Sequence, residues 1–395
     1  MKKDWEINRL GEVCEYEKIP NTDSNLPYIG LEDIESNSGK FIGSTNPKRV
    51  KSLTFHFTNE HILYGRLRPY LNKVLSPSFE GQCSTEIFPI KPKTNLSKGF
   101  LFWWLLSDVT AERINATWTG ARMPRANMNA VLGFEIPIPP FPEQQRIVAI
   151  LDDAFAAIVM AKENAEKNLQ NTRALFESYL QSVFFKPGEG WVEKPFDELI
   201  ESNVIGLTRN SRAQGKELQY PYVKMNNIAQ DNRFDFSSFV YVDASDDEVD
   251  KFQLKVGDFL FNTRNSIELV GKACIYENDS GDVVLFNNNI MRVRFKRGVE
   301  SRFIIFAFSC RSVAEALNKL KSGTTNVAAI YYKDLRSLVI PIAPIEVQRA
   351  IVSKLTHLRT ETQRLEAIYE QKLAALYELK KSLLHQAFSG ELSGE

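Results

Sequence analysis

The sequence contains one long segment twice, and this internal repeat limits the fold more than any other feature. IPIPPFPEQQRIVAIL begins at Ile136 and IPIAPIEVQRAIVSKL begins at Ile340, so the two copies align without gaps 204 residues apart. The match continues downstream, where Leu169 corresponds to Leu373. Self-similarity at a fixed distance predicts two similar structural units within one chain.

The segments upstream of each copy repeat more faintly. PYIGLEDI at Pro27 matches PYVKMNNI at Pro221, and FLFWWLLS at Phe100 matches FIIFAFSC at Phe303. KPGEGW (186–191) separates the copies, because its two glycines and one proline end a helix. We therefore expect two globular parts with related but different tasks, each followed by a helical segment that performs the same task twice.

Each copy of the repeat opens a long helix. Pro142 suits the first turn of a helix, and neither Pro nor Gly follows it until after Phe185. The second stretch runs from about Glu346 to Phe388. A helix of roughly 43 residues is about 65 Å long. Apolar residues recur at heptad spacing in both stretches, so each helix exposes a narrow apolar stripe that needs a partner.

Three partners for this stripe are compatible with the spacing. The helix can pack on its own globular part, on the same helix of a second chain, or on the other long helix of its own chain. We favour the third arrangement, with the two copies antiparallel, because it relates the two halves of the chain by a pseudo-twofold axis. Thr362 and Lys372 are polar interruptions in the second stripe.

The globular parts, residues 1–141 and 187–345, share one pattern. Short runs rich in Val, Ile, Phe and Tyr are separated by Gly, Asn, Asp and Pro, which predicts strands and hairpins with a few helices. GFLFWWLLSDVTAERI (99–114) and SRFIIFAFSCRSVAEALNKL (301–320) are the expected helices. The predicted class of each globular part is α+β.

Composition narrows the class of protein only slightly. The formal net charge is zero, which is weak evidence against DNA binding, although a local basic face is sufficient for it. The four cysteines are far apart and form no CxxC pair, so we expect reduced thiols rather than zinc or disulfides. The N-terminal segment lacks a signal-peptide pattern and the longest apolar run is too short to span a membrane, so we expect a cytoplasmic protein.

Positive charge is concentrated in two stretches of each globular part, 61–79 and 113–134 in the first, 283–299 and 316–333 in the second. Arg and Lys suit phosphates and guanine edges, and Asn suits an adenine edge. For one such stretch alone a solvated strand face is the interpretation we favour, whereas four of them are equally compatible with a nucleic-acid interface. The candidate DNA-binding residues are Arg66, Arg68, Lys73, Arg122, Arg125, Asn127, Lys224, Asn226, Asn227, Arg264, Asn265, Asn288, Lys321, Thr324 and Asn326.

Two loops occupy the same place in front of the repeated segment, TGARMPRANMN (119–129) and SGTTNVAAIYYKDL (322–335). Each begins with a small residue and Gly, followed by polar or basic residues. A flexible loop here would be able to enter a DNA groove, and an ordinary turn that leads into a helix is the alternative interpretation.

Motifs that carry catalysis are absent from the sequence. It has no Gly-rich cofactor loop with an Asn/Asp-Pro-Pro-Tyr type motif, no GxxxxGK[ST] phosphate loop, no HExxH and no GxSxG. The four histidines do not form a ligand cluster. The acidic segment 242–250 is compatible with a cation site, but a solvated loop is the interpretation we favour. The sequence therefore predicts no catalytic residues and no metal ligands.

On these residues the sequence resembles the specificity subunits of Type I restriction-modification systems. The resemblance covers nearly the whole chain and rests on the two repeated segments together with LRPYLNKV (67–74), STEIFPIKP (84–92), FLFNTRNSIELVGK (259–272) and LLHQAFSGEL (383–392). A segment of the form I-P-x-P-P followed by E-Q-x-x-I is specific when it occurs twice about 200 residues apart.

The second copy departs from this form at Ala343, Val347 and Arg349.

The resemblance implies two target-recognition domains, 1–141 and 187–345, joined by an antiparallel coiled coil of two spacer helices, 142–186 and 346–389, with a tail at 390–395. Each domain would read one half of a split double-stranded DNA target, and the helices would set the spacing and dock two modification subunits. Those methyltransferase subunits would bind S-adenosylmethionine, and restriction subunits would cleave DNA. The chain itself would be non-catalytic and bind no cofactor.

Two other hypotheses stay open at this point. The long helices would equally serve a scaffold that binds only proteins, and a stand-alone nuclease with an unfamiliar site is the third possibility. The local basic loops favour DNA recognition over the scaffold, and the absent motifs disfavour the nuclease.

Overall fold

The computed structural model describes residues 4–23, 25–120 and 122–392, and it divides into two compact units. One unit combines Met1–Asn168 with Tyr369–Glu395, and the other is Leu169–Ile368. Each unit therefore contains one globular part and a portion of both long helices. The proposed division into two domains, two spacer helices and a tail at 390–395 stays a prediction, and residues 393–395 of that tail lie outside the described residues.

The first unit has a mixed α/β core. Buried aliphatic and aromatic side chains of Ile62–Gly65 and Ile87–Pro92 pack against Lys98–Leu106, a helix whose side chains are mostly buried. Its strands are Glu6–Arg9, Cys14–Tyr16, Tyr28–Ile29, Thr54–Phe57, Ile62–Gly65, Val74–Leu75, Gly81–Ser84, Ile87–Pro92 and Glu135–Ile138. Its shorter helices are Leu10–Val13, Leu31–Asp33, Pro69–Leu71, Lys98–Leu106, Asp108–Asn115 and Met128–Leu132.

The second unit is built in the same way, with Phe259–Asn262 and Ile290–Phe295 packed against the buried helix Ser301–Ser309. Its strands are Val192–Pro195, Ile200–Ile205, Tyr220–Val223, Val240–Val242, Phe259–Asn262, Arg264–Asn265, Ala273–Ile275, Leu285–Phe286, Ile290–Phe295, Ser322–Gly323, Ala328–Ala329 and Val339–Ile342. Its shorter helices are Phe196–Leu199, Ser211–Ala213, Met225–Asn227, Asp246–Phe252, Ser301–Ser309, Arg311–Lys319 and Tyr332–Leu335.

Both units contain a four-stranded sheet with the same strand order. In the first unit the order is Cys14–Tyr16, Ile87–Pro92, Ile62–Gly65, Val74–Leu75. In the second unit the order is Ile200–Ile205, Ile290–Phe295, Phe259–Asn262, Ala273–Ile275. All neighbouring strands in these sheets are antiparallel. The globular parts thus share a framework even where their sequences have diverged.

A smaller sheet shows where the globular parts differ. Each has a short parallel pair, Tyr28–Ile29 with Gly81–Ser84 in one and Tyr220–Val223 with Leu285–Phe286 in the other. In the first sheet the third strand, Thr54–Phe57, pairs with Gly81–Ser84, the later strand of the parallel pair. In the second sheet the third strand, Val240–Val242, pairs with Tyr220–Val223, the earlier strand of the pair. The third strand has therefore moved to the opposite edge of the pair.

The repeated segment is a strand that leads into a helix. Glu135–Ile138 pairs antiparallel with Glu6–Arg9, and Val339–Ile342 pairs with Val192–Pro195 in the same register. The two prolines, or Ala-Pro in the second copy, end the strand before the helix begins. This pairing with the first strand of each globular part is not evident from the repeat itself.

The long helices, Phe141–Phe185 and Ile345–Ser389, have 45 residues each. They pack antiparallel within each unit. In the second unit the contacts pair Arg173 with Glu366, Phe176 with Arg359 and Tyr179 with Lys354. Residue numbers therefore rise along the first helix as they fall along the second. In the first unit Phe155 contacts Lys380, and Arg146 donates to the Leu392 carbonyl.

The predicted fold is therefore confirmed: two α+β parts, an antiparallel pair of long helices and an internal repeat. The helices contact each other and also their globular parts, so two of the three arrangements considered for the apolar stripe occur together. In the first unit Phe388 packs edge-on against Phe100 at 5.2 Å between ring centroids.

Candidate nucleic-acid interface

Backbone pairing joins the two basic stretches of the first unit. The stretch after Ile62–Gly65 meets the loop before Met128–Leu132, where Arg125 forms β-bridges with both Leu67 and Thr119. Outside that pairing, Arg68 N donates to the Pro124 carbonyl at 2.8 Å, and Ala126 N donates to the Arg66 carbonyl at 2.8 Å. Arginines that are about 60 residues apart in sequence are thus neighbours on one surface.

The four arginines of this surface divide into two pairs. Glu86 binds Arg125 through both carboxylate oxygens at 2.9–3.1 Å and lies 3.7 Å from Arg66. This contact raises the pKa of the Arg125 guanidinium. Arg68 and Arg122 are exposed, and among the described residues neither forms a salt bridge. Arg68 and Arg122 therefore carry the charge that is available to a ligand.

The second unit repeats this backbone pairing. Arg264–Asn265 pairs with Ala328–Ala329, which pairs in turn with Ser322–Gly323. Ile330 N donates to the Thr263 carbonyl at 2.9 Å, which is the counterpart of the bond from Ala126 N to the Arg66 carbonyl. The loop in front of each long-helix segment is therefore fixed against the same strand end in both units.

The exposed side chains of this second surface are mostly neutral. Arg264, Thr324 and Asn326 are exposed. Asn265 is turned inward, where its amide nitrogen donates to the Asn262 side chain at 3.0 Å. The ammonium of Lys321 donates to the Ile267 carbonyl at 2.9 Å, and burial lowers the pKa of Lys321.

The remaining candidates have varied environments. Asn127 is exposed and caps Met128–Leu132 by accepting hydrogen bonds from the next backbone amides. Asn288 is half-buried and Asn226 is exposed. Lys224 donates to Gln214 Oε1 at 3.2 Å. Asn227 is buried, and its side chain bonds to the Lys224 amide and to two backbone carbonyls.

A contact between a half-buried lysine and a backbone carbonyl recurs in both units. Lys73 donates to the Leu31 carbonyl at 2.6 Å, and Lys272 donates to the Met225 carbonyl at 3.1 Å. Both carbonyls lie at the start of a short 3-10 helix, and burial lowers the pKa of Lys272. Lys272 lies outside the basic stretches of the sequence, yet it is held in the same way as Lys73. We therefore leave Lys73 and the buried Asn227 out of the proposed interface.

Sequence reasoning missed two exposed apolar residues in the loops of the candidate interface. Met123 and Val327 lie 204 residues apart, the offset of the repeat, and each is exposed in the loop that carries the candidates, at 47% and 61% of its surface. Tyr70 and Trp118 are likewise exposed in the two basic stretches of the first unit. Exposed apolar groups beside arginines suit contacts with base edges and thymine methyl groups. The repeat offset is the signal that would have found the first pair.

Within the described residues, no group of three or more His, Cys, Asp or Glu side chains lies close enough to hold a metal ion. The acidic segment 242–250 contains the start of the helix Asp246–Phe252, where Ser245 caps the helix and Glu248 binds Arg209. Acidic side chains are stabilised there by the positive end of the helix.

The cysteines are free and buried. Burial raises the pKa of the thiols of Cys14 and Cys83 to about 12, so both are protonated near neutral pH. Within the residues described, no helix is long and apolar enough to span a membrane.

The framework thus occurs twice in the chain, and each copy carries a paired-loop surface of different composition. The family described as the Type I restriction modification DNA specificity domain matches residues 2–169 and 188–374, and the chain belongs to this family. The repeated segments had indicated the same family, and that interpretation is confirmed.

Curated relatives carry the same description. The chain is 24% identical over 392 residues to the Type I restriction enzyme EcoKI specificity subunit of Escherichia coli K12, covering 94% of this chain and 84% of that protein. It is 29% identical over 186 residues to the EcoDI specificity subunit of Escherichia coli, covering 47% of this chain and 40% of that protein.

Solved structures share the fold. A chain from a structural study of complex assembly and conformational transition of the type I R-M system matches with a TM-score of 0.73 and 23% identity, covering 98% of both chains. The HsdS subunit from Thermoanaerobacter tengcongensis matches with a TM-score of 0.66 and 21% identity, covering 99% of this chain and 98% of that chain.

Proposed function

We propose that each globular part reads one half of a split DNA target and that the chain contributes recognition without catalysis. One observation carries this proposal: the same backbone pairing presents two exposed arginines in the first unit, and one arginine with Thr324 and Asn326 in the second. A shared framework with different exposed side chains suits two sites that bind DNA alike but select different bases.

The proposed interface is smaller than the candidate set. Its charged members are Arg68, Arg122 and Arg264, and its neutral members include Thr324 and Asn326. Arg66 and Arg125 are available to DNA only if Glu86 releases them. Phosphate contacts from the arginines would position the protein, and the neutral groups would contribute to base selection.

The proposed partners supply the chemistry. Two modification subunits would dock on the long helices, bind S-adenosylmethionine and methylate the target, and restriction subunits would join them to cleave DNA. One structurally similar chain comes from a study of complex assembly in the type I R-M system, and this supports such partners. The helices would set the spacing between the half-sites. With DNA as its target, the complex would act in the cytoplasm.

Arg264→Ala tests the second recognition surface. The assembled methyltransferase containing this variant should bind its target with a loss of roughly 1–3 kcal/mol if Arg264 contacts a base, and specificity should relax in one half-site only. Fluorescence anisotropy with duplexes altered in each half-site measures both effects, and sequencing of methylated host DNA identifies the target beforehand.

Arg297→Ala is the matched control, because Arg297 is exposed in the turn after Phe295. That turn lies at the end of strand Ile290–Phe295 that is remote from Arg264, since Asn262 pairs with Ile290. It should leave both half-sites unchanged. A uniform loss of affinity over all sequences in Arg264→Ala would assign that residue to phosphate. A loss of specificity in both half-sites would contradict the assignment of one half-site to each globular part.

A further inference from the structure

The long helices meet each globular part in a three-part cluster. In the first unit Trp103 packs on Phe155 at 4.2 Å between ring centroids, and the Lys380 ammonium lies over Phe155 at 5.5 Å from the centroid. The ammonium also donates to the Asn37 carbonyl. An aromatic side chain of the globular part, a phenylalanine of the first long helix and a cation of the second long helix thus pack together.

The second unit contains the same cluster. The Arg359 guanidinium lies over Phe176 at 4.9 Å and over Phe306 at 5.4 Å from the ring centroids. Again the phenylalanine belongs to the first long helix and the cation belongs to the second. A cation over an aromatic face is favourable, and more so when both are partly removed from water.

The repeat relates these two contacts to each other. The offset of 204 residues converts position 155 into 359 and position 176 into 380. The contact of Phe176 with Arg359 therefore maps onto the contact of Lys380 with Phe155. Each position holds a phenylalanine in the first copy and a cation in the second. Equivalent positions on the contact face between the two long helices, called the seam below, therefore have opposite chemistry.

A pair of identical helices cannot reproduce this contact. If two second helices packed antiparallel in the observed register, Arg359 of one would face Lys380 of the other, and this would happen twice. Both cations are half-buried in the native contacts, and this burial lowers the pKa of both groups. Like charges repel more strongly in such a site than in water.

The neighbouring layer of the seam has the same preference. In the second unit Thr172 and Thr362 are both buried, and the Thr362 hydroxyl donates to the backbone carbonyls of Leu358 and Arg359. The repeat converts position 172 into Leu376. Two second helices would therefore bring the apolar Leu376 to the place that Thr172 occupies in the first long helix.

We propose that these layers make the seam selective: the first long helix accepts the second long helix, and the second long helix rejects a second copy of itself. The partner that each helix fits is thus the helix of the other repeat. This selectivity disfavours dimers in which the second long helices of two chains pair with each other.

A cysteine cross-link in the full chain tests the proposal. Tyr369 lies midway between Arg359 and Lys380, so it would face its own counterpart in an antiparallel pair of second helices. The full chain with Tyr369→Cys is unfolded, refolded in the presence of a thiol reductant, oxidised only after refolding, and examined for disulfide-linked dimers on a non-reducing gel. We expect monomer, since the four other cysteines are buried in the folded chain.

Removing the repulsion should change this result. Adding Lys380→Glu places opposite charges face to face in a pair of second helices, so the fraction of cross-linked dimer should rise severalfold. Lys372→Glu is the matched control, because Lys372 is exposed on the same helix and the change in charge is identical. It should leave the monomer predominant.

A second variant keeps the test valid if Lys380→Glu weakens folding. Arg359→Phe together with Lys380→Phe removes both cations and retains aromatic side chains at the contact, and it should also raise the cross-linked fraction. Equal cross-linking in the parent, in the Lys372→Glu control and in both test variants would overturn the proposal. Abundant dimer in the parent chain itself would overturn it as well.

Discussion

Gln144 and Gln348 show how a single residue can fix a repeated junction. Each lies in the first turn of a long helix, is fully buried and makes three hydrogen bonds. Gln144 accepts from the Ser97 amide at 2.7 Å and donates to the carbonyls of Asn95 and Pro139 at 2.9 Å. Gln348 makes the equivalent bonds in the second unit.

This explains two of the three departures in the second copy of the repeat. Val347 and Arg349 differ from the expected residues, yet both are exposed and flank the retained glutamine. The sequence identified the junction correctly, but the pattern of letters did not distinguish the buried glutamine from its exposed neighbours.

Gln144→Leu should destabilise the first unit. The change leaves one backbone amide and two carbonyls without their partner, so the free energy of unfolding should fall by about 3 kcal/mol. Denaturation in urea, followed by circular dichroism, measures this loss. Gln145→Leu is the matched control at an exposed position, and it should change the free energy by less than about 0.5 kcal/mol. Equal effects of the two substitutions would show that the buried hydrogen bonds contribute little.

The candidate site was only partly predictable at this scale. Residue type identified Arg122 and Arg264, which are exposed as the hypothesis requires. Residue type could not show that the Lys321 ammonium donates to a backbone carbonyl, or that Glu86 forms a salt bridge with Arg125. Whether a long basic side chain reaches solvent or an internal acceptor depends on the neighbouring backbone, which composition does not describe.

At the scale of elements, the loop in front of each long-helix segment is a short hairpin and not a free segment. Ser322–Gly323 pairs with Ala328–Ala329, and Thr324 N donates to the Val327 carbonyl at 2.9 Å. The sequence pattern located this loop and its glycine. It did not predict the pairing with Arg264–Asn265, because strands of two residues carry too little periodicity to be recognised.

Gly323 permits this hairpin for two reasons. Its φ of 133° belongs to the region that favours glycine. A Cβ at this position would also lie 2.3 Å from the Val327 carbonyl oxygen. A side chain at residue 323 would therefore push the two sides of the hairpin apart.

Gly323→Ala should consequently impair recognition in one half-site. The altered hairpin would displace Thr324 and Asn326, so methylation should lose specificity in the half-site read by the second unit and keep it in the other. Because the hairpin is exposed, the unfolding midpoint should change little.

Gly281→Ala is the matched control, because Gly281 has a φ of 80° but nothing within 4 Å of the added Cβ. It introduces a similar backbone strain without the collision. Methylation profiles of the two variants on substrates altered in each half-site make the comparison. Unchanged specificity in Gly323→Ala would remove the hairpin from the proposed interface.

At the scale of the whole molecule, the fold was the most predictable feature. A gap-free repeat of the segment that ends each globular part, followed by stretches free of Pro and Gly, was sufficient to predict two similar parts and paired helices. The pairing of Val240–Val242 with the edge of Tyr220–Val223 was not predictable. It depends on which edge of the parallel pair the rest of the fold leaves open.

The proposed spacing role leads to a prediction about length. Inserting one heptad after Asn168 and one after Ile368 places both insertions at the borders between the compact units, so the packing inside each unit is retained. Seven residues add about 10 Å of helix, which corresponds to about three base pairs at 3.4 Å each. The unread spacer of the target should lengthen by that amount while both half-sites stay the same.

Sequencing of methylated DNA from cells that express the lengthened chain reads the half-sites and the spacer together. A heptad inserted after Asn168 alone serves as the control, because it shifts one helix against the other and should abolish methylation instead of lengthening the spacer. If the doubly lengthened chain methylates the original spacer, the helices do not set the distance between half-sites. If its half-sites change, the recognition surfaces depend on the helices for more than their position.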